Sequence, residues 1–181
     1  MSAPELAAFA YAILSRMAYV VFIGSVLRRQ ERGGSGLDFR QFRRRAAILM
    51  NHDAFAFIVL CLVTRNTWDL PFSGTVAIAA GALLVIVGLG MKFWAARTLG
   101  IAAYFWHNFF EPEEAIGPVS TGPYRFISSP MYTVGYLQTY GLALILRSFP
   151  GLIASVFSQA AILTFYLLVE KPHFKRLHGS S

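Results

Sequence analysis

The sequence contains few charged residues and only one cysteine. Of its 181 residues, 14% are charged and 56% hydrophobic, and the mean hydropathy is +0.53. Soluble domains usually carry ~25% charged residues, so this composition argues against a water-soluble enzyme. The single cysteine, Cys61, excludes a disulfide scaffold, and the chain lacks a glycine-rich dinucleotide motif. Composition therefore predicts an integral membrane protein.

Apolar runs occupy about half of the chain and predict an all-α, polytopic transmembrane bundle of about five spans. A helix needs ~17–25 residues to cross a bilayer, and the fourth run, with 16 residues, is short. The last two runs flank a tight turn and predict a helical hairpin. The first run follows Glu5 rather than basic residues, so we expect a retained span instead of a signal peptide. The runs are Leu6–Leu27, Ala46–Val63, Gly74–Trp94, Met131–Leu146 and Gly151–Val169.

The basic residues lie mostly between these runs. The net charge of +7 therefore predicts topology and contact with anionic lipids rather than nucleic-acid binding. The first connection alone holds seven arginines, whereas the second and fourth hold only Arg65 and Arg147. The positive-inside rule places the N-terminus outside and the C-terminus in the cytoplasm, in a bacterial inner membrane or an endoplasmic-reticulum-type membrane.

Four polar residues interrupt the first two runs. Arg16 lies near the middle of the first, and Asn51, His52 and Asp53 lie within the second. Ionisable residues inside a membrane usually face a bundle interior or a watery cavity. For Arg16, the open alternatives are pairing with Asp53, pairing with a lipid phosphate, and a catalytic role. The other three residues either line such a cavity or cap a helix that begins near Ala54.

The segment before the fourth run has the composition of a binding site. Gly122 and Pro123 predict a turn that displays Tyr124 and Arg125, and Ser129 and Pro130 predict the start of the next helix. Such a helix start with an adjacent guanidinium suits an anionic group, and Tyr124 or Tyr132 could stack on a purine. Anchoring of the loop at the membrane interface is the alternative. Glu170, where the last run ends, is either an exposed carboxylate or a partner for an ammonium or ribose hydroxyls.

Three blocks in the second half of the chain resemble the isoprenylcysteine carboxyl methyltransferase and phospholipid N-methyltransferase superfamily of membrane enzymes. The block Lys92–Gly100, with Trp94-Ala95…Thr98-Leu99-Gly100 inside it, resembles the segment that ends the family's middle span. Gly122-Pro123-Tyr124-Arg125-Phe126 with Pro130-Met131-Tyr132 resembles its core, and Glu170-Lys171-Pro172-His173 resembles its end. The chain departs from this pattern at Ser128 and Ser129, which replace Arg-His, and at Lys171, which replaces a second glutamate.

The resemblance implies a methyltransferase that uses S-adenosyl-L-methionine and acts on a membrane lipid, either an amine headgroup or an isoprenylcysteine carboxylate. Residues 74–181 would form the methyltransferase-like core, and residues 1–73 the N-terminal spans and the basic connection. A sterol-type NADPH-dependent reductase and a non-catalytic protein that retains the fold are the alternatives. No obligate protein partner is expected. The cofactor-binding residues implied are Gly122, Tyr124, Arg125, Pro130, Tyr132, Glu170 and His173.

Aromatic residues crowd the third connection. Their ring faces suit a sulfonium or a methylated amine, although an aromatic belt at the membrane interface has the same composition. His107 is the candidate base for an incoming amine, and it forms the candidate catalytic set together with Arg125. The candidate substrate-binding residues are Trp94, Trp106, Asn108, His52 and Asp53.

Overall fold

The computed structural model describes residues 1–34, 36–114 and 119–179, without the side chains of Glu114 and His178. The described part is helical and contains no strand, which confirms the all-α prediction. The helices are α1 (Ala3–Glu31), α2 (Phe39–Val63), α3 (Gly74–Leu99), α4 (Ile101–Tyr104), α5 (Leu137–Ile145), α6 (Phe149–Phe165) and α7 (Lys171–His178). A π-helical turn, Tyr166–Glu170, joins α6 to α7. Ser35, in the first connection, and Gly117 and Pro118, in the third connection, lie outside the described residues.

Four of the described helical segments are long and apolar enough to cross a membrane. They are α1, α2, α3 and the continuous stretch Phe149–Leu177. Large apolar side chains such as Leu83 and Ile86, 61% and 69% exposed, cover their outer faces as expected for contact with lipid. The chain is therefore a polytopic, integral membrane bundle.

The helix of the fourth predicted span begins later and is shorter than expected. The helix does not begin at Pro130; α5 begins at Leu137 and has nine residues. Before it, the chain turns, with Tyr132 and Thr133 both donating to the Ser129 carbonyl and Gly135 donating to that of Pro130. Gly135 in this turn packs closely on α3, because a Cβ there would lie 2.8 Å from Cγ of Lys92.

The second helix also begins earlier than the predicted run, which starts at Ala46. Asn51, His52 and Asp53 do not cap a helix, because α2 passes through them without a break from Phe39 to Val63. The cap is Asp38, whose carboxylate accepts from the Gln41 amide at 2.7 Å. The basic residues after Asp38 therefore continue the second span.

The tight turn predicted between the last two runs is present between α5 and α6. Arg147 adopts a left-handed conformation with φ of 48°. Ser148 then caps α6 by accepting from the Gly151 amide at 2.9 Å. At the same end of the bundle, the Asn66 amide donates to the Leu146 carbonyl. The second and fourth connections are thus neighbours.

The opposite end, which we call the basic end, gathers the first and third connections and the C-terminal helix. His173 Nδ1 on α7 lies 2.8 Å from Oε1 of Glu31 at the end of α1, and Arg176 also donates to Glu31. Phe39, at the start of α2, packs edge to face on His107. All residues of the predicted site except His52 and Asp53 therefore come from elements that meet at or near this end.

Glycines let α3 and α5 pack closely. A Cβ at Gly88 would lie 2.4 Å from the Gln138 backbone nitrogen, and a Cβ at Gly141 would lie 2.5 Å from the Gly81 carbonyl oxygen. Small residues that allow such backbone contact are typical of membrane helix interfaces. α2, in contrast, packs mainly against α1, which leaves room in the bundle between α2 and α3.

We expect Gly88→Ala to destabilise the bundle by about 1–3 kcal/mol, because the new methyl group overpacks against backbone that cannot move aside. Gly90→Ala is the matched control on the same helix, since no atom lies within 4 Å of its Cβ position. Unfolding of both variants in detergent measures the difference. Equal stability of the two would contradict the close α3–α5 contact.

Candidate functional site

A cavity of about 360 Å³ lies inside the bundle between α1, α2, α3 and α5, with Ile162 of α6 also in its lining. Its deep wall is apolar and includes Phe57, Val85 and Leu142. Its wall toward the basic end is aromatic, with Tyr104, Trp106 and Tyr132. Between these two ends lie three charged residues, Arg16, Asp53 and Lys92.

Arg16 and Asp53 form a buried ion pair across the cavity wall. Arg16 Nη2 lies 2.5 Å from Asp53 Oδ2, and Arg16 Nη1 donates to the Tyr136 hydroxyl at 2.9 Å. The guanidinium also lies 5.3 Å from the Tyr19 ring centre. Of the three roles left open for Arg16, pairing with Asp53 is the one that the structure contains.

At the basic end, three aromatic side chains surround the carboxylate of Glu170. The Tyr132 hydroxyl donates to Oε2 at 2.9 Å and the Trp106 indole donates to the same oxygen at 3.3 Å. The Tyr124 hydroxyl is buried without a hydrogen-bond partner among the described residues. We call Glu170, Trp106, Tyr124 and Tyr132 the Glu170 cluster. Trp106 and Tyr132 also line the cavity, so the cluster adjoins it.

The π-helical turn has a local cause. Pro172 has no amide hydrogen and its ring clashes with the carbonyl four residues earlier, Leu168, so a regular helix is interrupted there. The Leu168 carbonyl instead accepts from Arg28 at 3.4 Å. Glu170 ends the resulting wide turn. Turns of this kind occur often at functional sites.

Tyr124 keeps its proton at physiological pH. Burial, reinforced by the nearby Glu170 carboxylate, raises the pKa of Tyr124 to about 12. The phenol is therefore a hydrogen-bond donor that has no acceptor among the described residues. Its turn is fixed by Gly122, whose φ is +56° and whose Cβ position would lie 2.7 Å from Thr98 Oγ1.

Other predicted site residues lie outside the cavity. Arg125 is exposed, with its guanidinium carbon 5.8 Å from the Phe126 ring centre. Trp94 is 48% exposed beside Gly122 on the outer face of α3. Pro130 is fully buried next to the cavity-lining Met131. His52 is exposed on α2 and lies 2.9 Å from the Tyr11 hydroxyl.

The two histidines of the predicted site have protein partners. His107 Nε2 lies 3.4 Å from Glu111, and the ring packs against Phe39, so His107 does not line the cavity. His173 is buried, stacks on Phe109 at 3.5 Å and contacts Glu31 and the Asn108 carbonyl. The roles of His107 as base and of His173 and Asn108 in binding stay predictions.

Tyr19, Lys92 and Tyr136 line the cavity and were not in the predicted site. Tyr19 and Tyr136 are separated by more than a hundred residues, and Lys92 lies near the end of the third predicted run. Only the position of Lys92 in an apolar helix could have indicated a site from the sequence.

Comparison with known proteins places this arrangement in a family. A family model described as phospholipid methyltransferase matches residues 76–181. A phosphatidylethanolamine N-methyltransferase of Saccharomyces cerevisiae is 31% identical over 79% of the chain, and one of Schizosaccharomyces japonicus is 36% identical over 60% of it. The matched regions cover only 16% and 12% of these relatives. No solved structure matches the chain significantly. Because the family model spans more than half of the sequence, the chain belongs to the phospholipid methyltransferase family.

Proposed function

We propose that the protein transfers a methyl group from S-adenosyl-L-methionine to the amine headgroup of a membrane phospholipid. The observation that carries the proposal is the cavity, which joins an apolar compartment inside the bundle to the Glu170 cluster at the basic end. The family match and the names of the relatives support a phospholipid acceptor over an isoprenylcysteine carboxylate.

The Glu170 cluster fits the donor. Its buried, unpartnered Tyr124 hydroxyl and its carboxylate are the hydrogen-bonding groups that ribose hydroxyls and an ammonium require. S-Adenosyl-L-methionine, when bound, supplies an electrophilic methyl group on a sulfonium. Glu170 and Tyr124 would hold polar groups of the donor, with Gly122 and Pro130 shaping the turn around Tyr124. The exposed Arg125 would meet an anionic group such as its carboxylate.

The remaining chemistry is alignment and exclusion of water. In-line displacement at a sulfonium requires the acceptor amine to lie in a dry, oriented pocket. Trp106 and Tyr132 belong to the Glu170 cluster and also line the cavity. The acceptor amine attacks in its neutral form, and the faces of these two rings would stabilise the sulfonium of the donor and the methylated ammonium that forms from the amine. We therefore assign these two residues to the place where acceptor and donor meet.

We also propose that the basic end faces the cytoplasm and that residues 74–181 form the methyltransferase core. The orientation is supported because the first connection, the third connection and α7 meet at one end of the bundle. These are the basic segments that the positive-inside rule places in the cytoplasm. The match to residues 76–181 supports the division of the chain.

The test is transfer of label from methyl-labelled S-adenosylmethionine to lipid by the purified protein in vesicles. Label is expected in phosphatidylethanolamine and absent from vesicles whose only lipid is phosphatidylglycerol, which has no amine. The orientation is tested by comparing sealed inside-out with sealed right-side-out membrane vesicles. Donor added outside should be used only by the inside-out vesicles, whose cytoplasmic face is outward. No label in phosphatidylethanolamine would refute the function, and transfer only in right-side-out vesicles would refute the orientation.

A further inference from the structure

Lys92 is the cation of the cavity that has no bonded counter-ion. Arg16 is paired with Asp53 at 2.5 Å, whereas Lys92, among the described residues, has no hydrogen bond and no carboxylate within 4 Å. Its ammonium lies 5.0 Å from the Tyr136 ring centre. An ammonium inside a bundle is costly unless it meets an anion. The charge of Lys92 therefore indicates a ligand with an anionic group.

The position of Lys92 is fixed by its neighbours. The Gly135 backbone passes close to the lysine stem, because a Cβ there would lie 2.8 Å from Cγ and 3.4 Å from Cε. The stem therefore packs along the Gly135 backbone, and the Tyr136 ring contacts the ammonium by a cation–π interaction. The ammonium of Lys92 thus lies in the lining of the cavity.

The cavity around Lys92 changes character along its length. Toward the basic end, Trp106 and Tyr132 present aromatic surface next to the Glu170 carboxylate. Toward the opposite end, Phe57 and Leu142 present apolar surface. Ile58 on α2 and Leu89 on α3 line the cavity and are also 44% and 52% exposed on the bundle surface. The cavity therefore opens sideways toward lipid between α2 and α3.

We propose that Lys92 binds the phosphodiester of a membrane phospholipid and so selects phosphate-bearing lipids as ligands of the cavity. The lipid lies with its amine at Trp106 and Tyr132, its phosphate at Lys92, and the start of its acyl chains at Phe57 and Leu142. This order of amine, anion and apolar chain is that of an ethanolamine phospholipid. The orientation rests on the proposed function, whereas binding of the phosphate by Lys92 can be measured without any methyl transfer.

The experiment measures equilibrium binding of radiolabelled lysophosphatidylethanolamine to the detergent-solubilised full chain without methyl donor. Octadecylamine, which has an amine and an alkyl chain but no phosphate, is the second probe. The variants are Lys92→Met, Lys92→Arg and Lys175→Met, the last an exposed lysine of α7 as matched control. Removal of an unpaired charge from an apolar helix should not unfold the protein, and a thermal melt of each variant verifies this.

Lys92→Met is expected to weaken binding of lysophosphatidylethanolamine by roughly ten- to hundredfold, the usual effect of losing a charged hydrogen-bond partner. Binding of octadecylamine should be unchanged, and Lys92→Arg and Lys175→Met should bind both probes like the wild type. Equal losses for the two probes, or no loss for either, would overturn the proposal. Displacement of the lysolipid by equimolar inorganic phosphate would overturn the lipid as ligand. Lys92-dependent binding without any methylation would refute only the proposed function.

Discussion

Replacement of Glu170 by glutamine is expected to weaken binding of S-adenosylhomocysteine by roughly ten- to hundredfold, because it removes the carboxylate of the Glu170 cluster. Glutamine has nearly the same shape and can still accept from Tyr132 and Trp106, so the packing of the cluster should persist. The loss therefore reports on charge. Calorimetry in detergent measures the affinity of the wild type and of the variant.

The matched control is Glu113→Gln, since Glu113 is an exposed carboxylate in the third connection, outside the cluster. Its affinity for S-adenosylhomocysteine should equal that of the wild type. A second variant, Tyr124→Phe, removes only the buried phenol hydroxyl and should weaken the affinity less than Glu170→Gln. Wild-type affinity in Glu170→Gln with an unchanged melting temperature would exclude Glu170 from the donor site.

The contribution of Tyr124 to this binding has no pH dependence of its own. Since the pKa of Tyr124 is about 12, its phenol stays protonated across the range in which the protein can be measured. Its contribution to donor binding should therefore not vary between about pH 6 and about pH 9. The Tyr124→Phe variant should then have the same affinity ratio to wild type at each pH.

Much of the fold could be predicted from the sequence because apolar runs and their caps are local signals. The tight turn expected between the last two runs is present, with Arg147 in a left-handed conformation and Ser148 as the cap of α6. The start of α5 could not be predicted, because Ser129 and Pro130 are local signals for a helix start, whereas the observed turn packs Gly135 against Lys92. That contact joins residues far apart in sequence, where local preference gives no information.

The candidate site was predictable only where its residues lie in recognisable motif blocks. Tyr124, Tyr132 and Glu170 were identified through motif resemblance, and the structure brings them together around one carboxylate. The pairing of Arg16 with Asp53 was one of several alternatives, since charges in two predicted spans reveal no register between them. Lys92 was not recognised as a site residue, because a lysine near the end of an apolar run is typical of a flanking charge.

The Arg16–Asp53 pair leads to the largest expected effect on stability. Asp53→Asn leaves the Arg16 guanidinium 92% buried without its counter-ion and beside a second cation, Lys92. Breaking a buried pair by removing one partner costs about 3–5 kcal/mol. Unfolding in detergent should show a loss of this size for Asp53→Asn, whereas Asp69→Asn, in the exposed second connection, should be neutral.

The double variant Arg16→Met with Asp53→Leu separates the cost of an unpaired charge from the value of the pair. Replacement of both members by apolar residues of similar size is often neutral or stabilising, because no charge then has to be desolvated. The double variant should therefore recover most of the stability that Asp53→Asn loses, although the Tyr136 hydroxyl loses its donor from Arg16. If the double variant is as unstable as Asp53→Asn, the pair itself holds α1 against α2, and the expected cost of an isolated Arg16 charge is wrong.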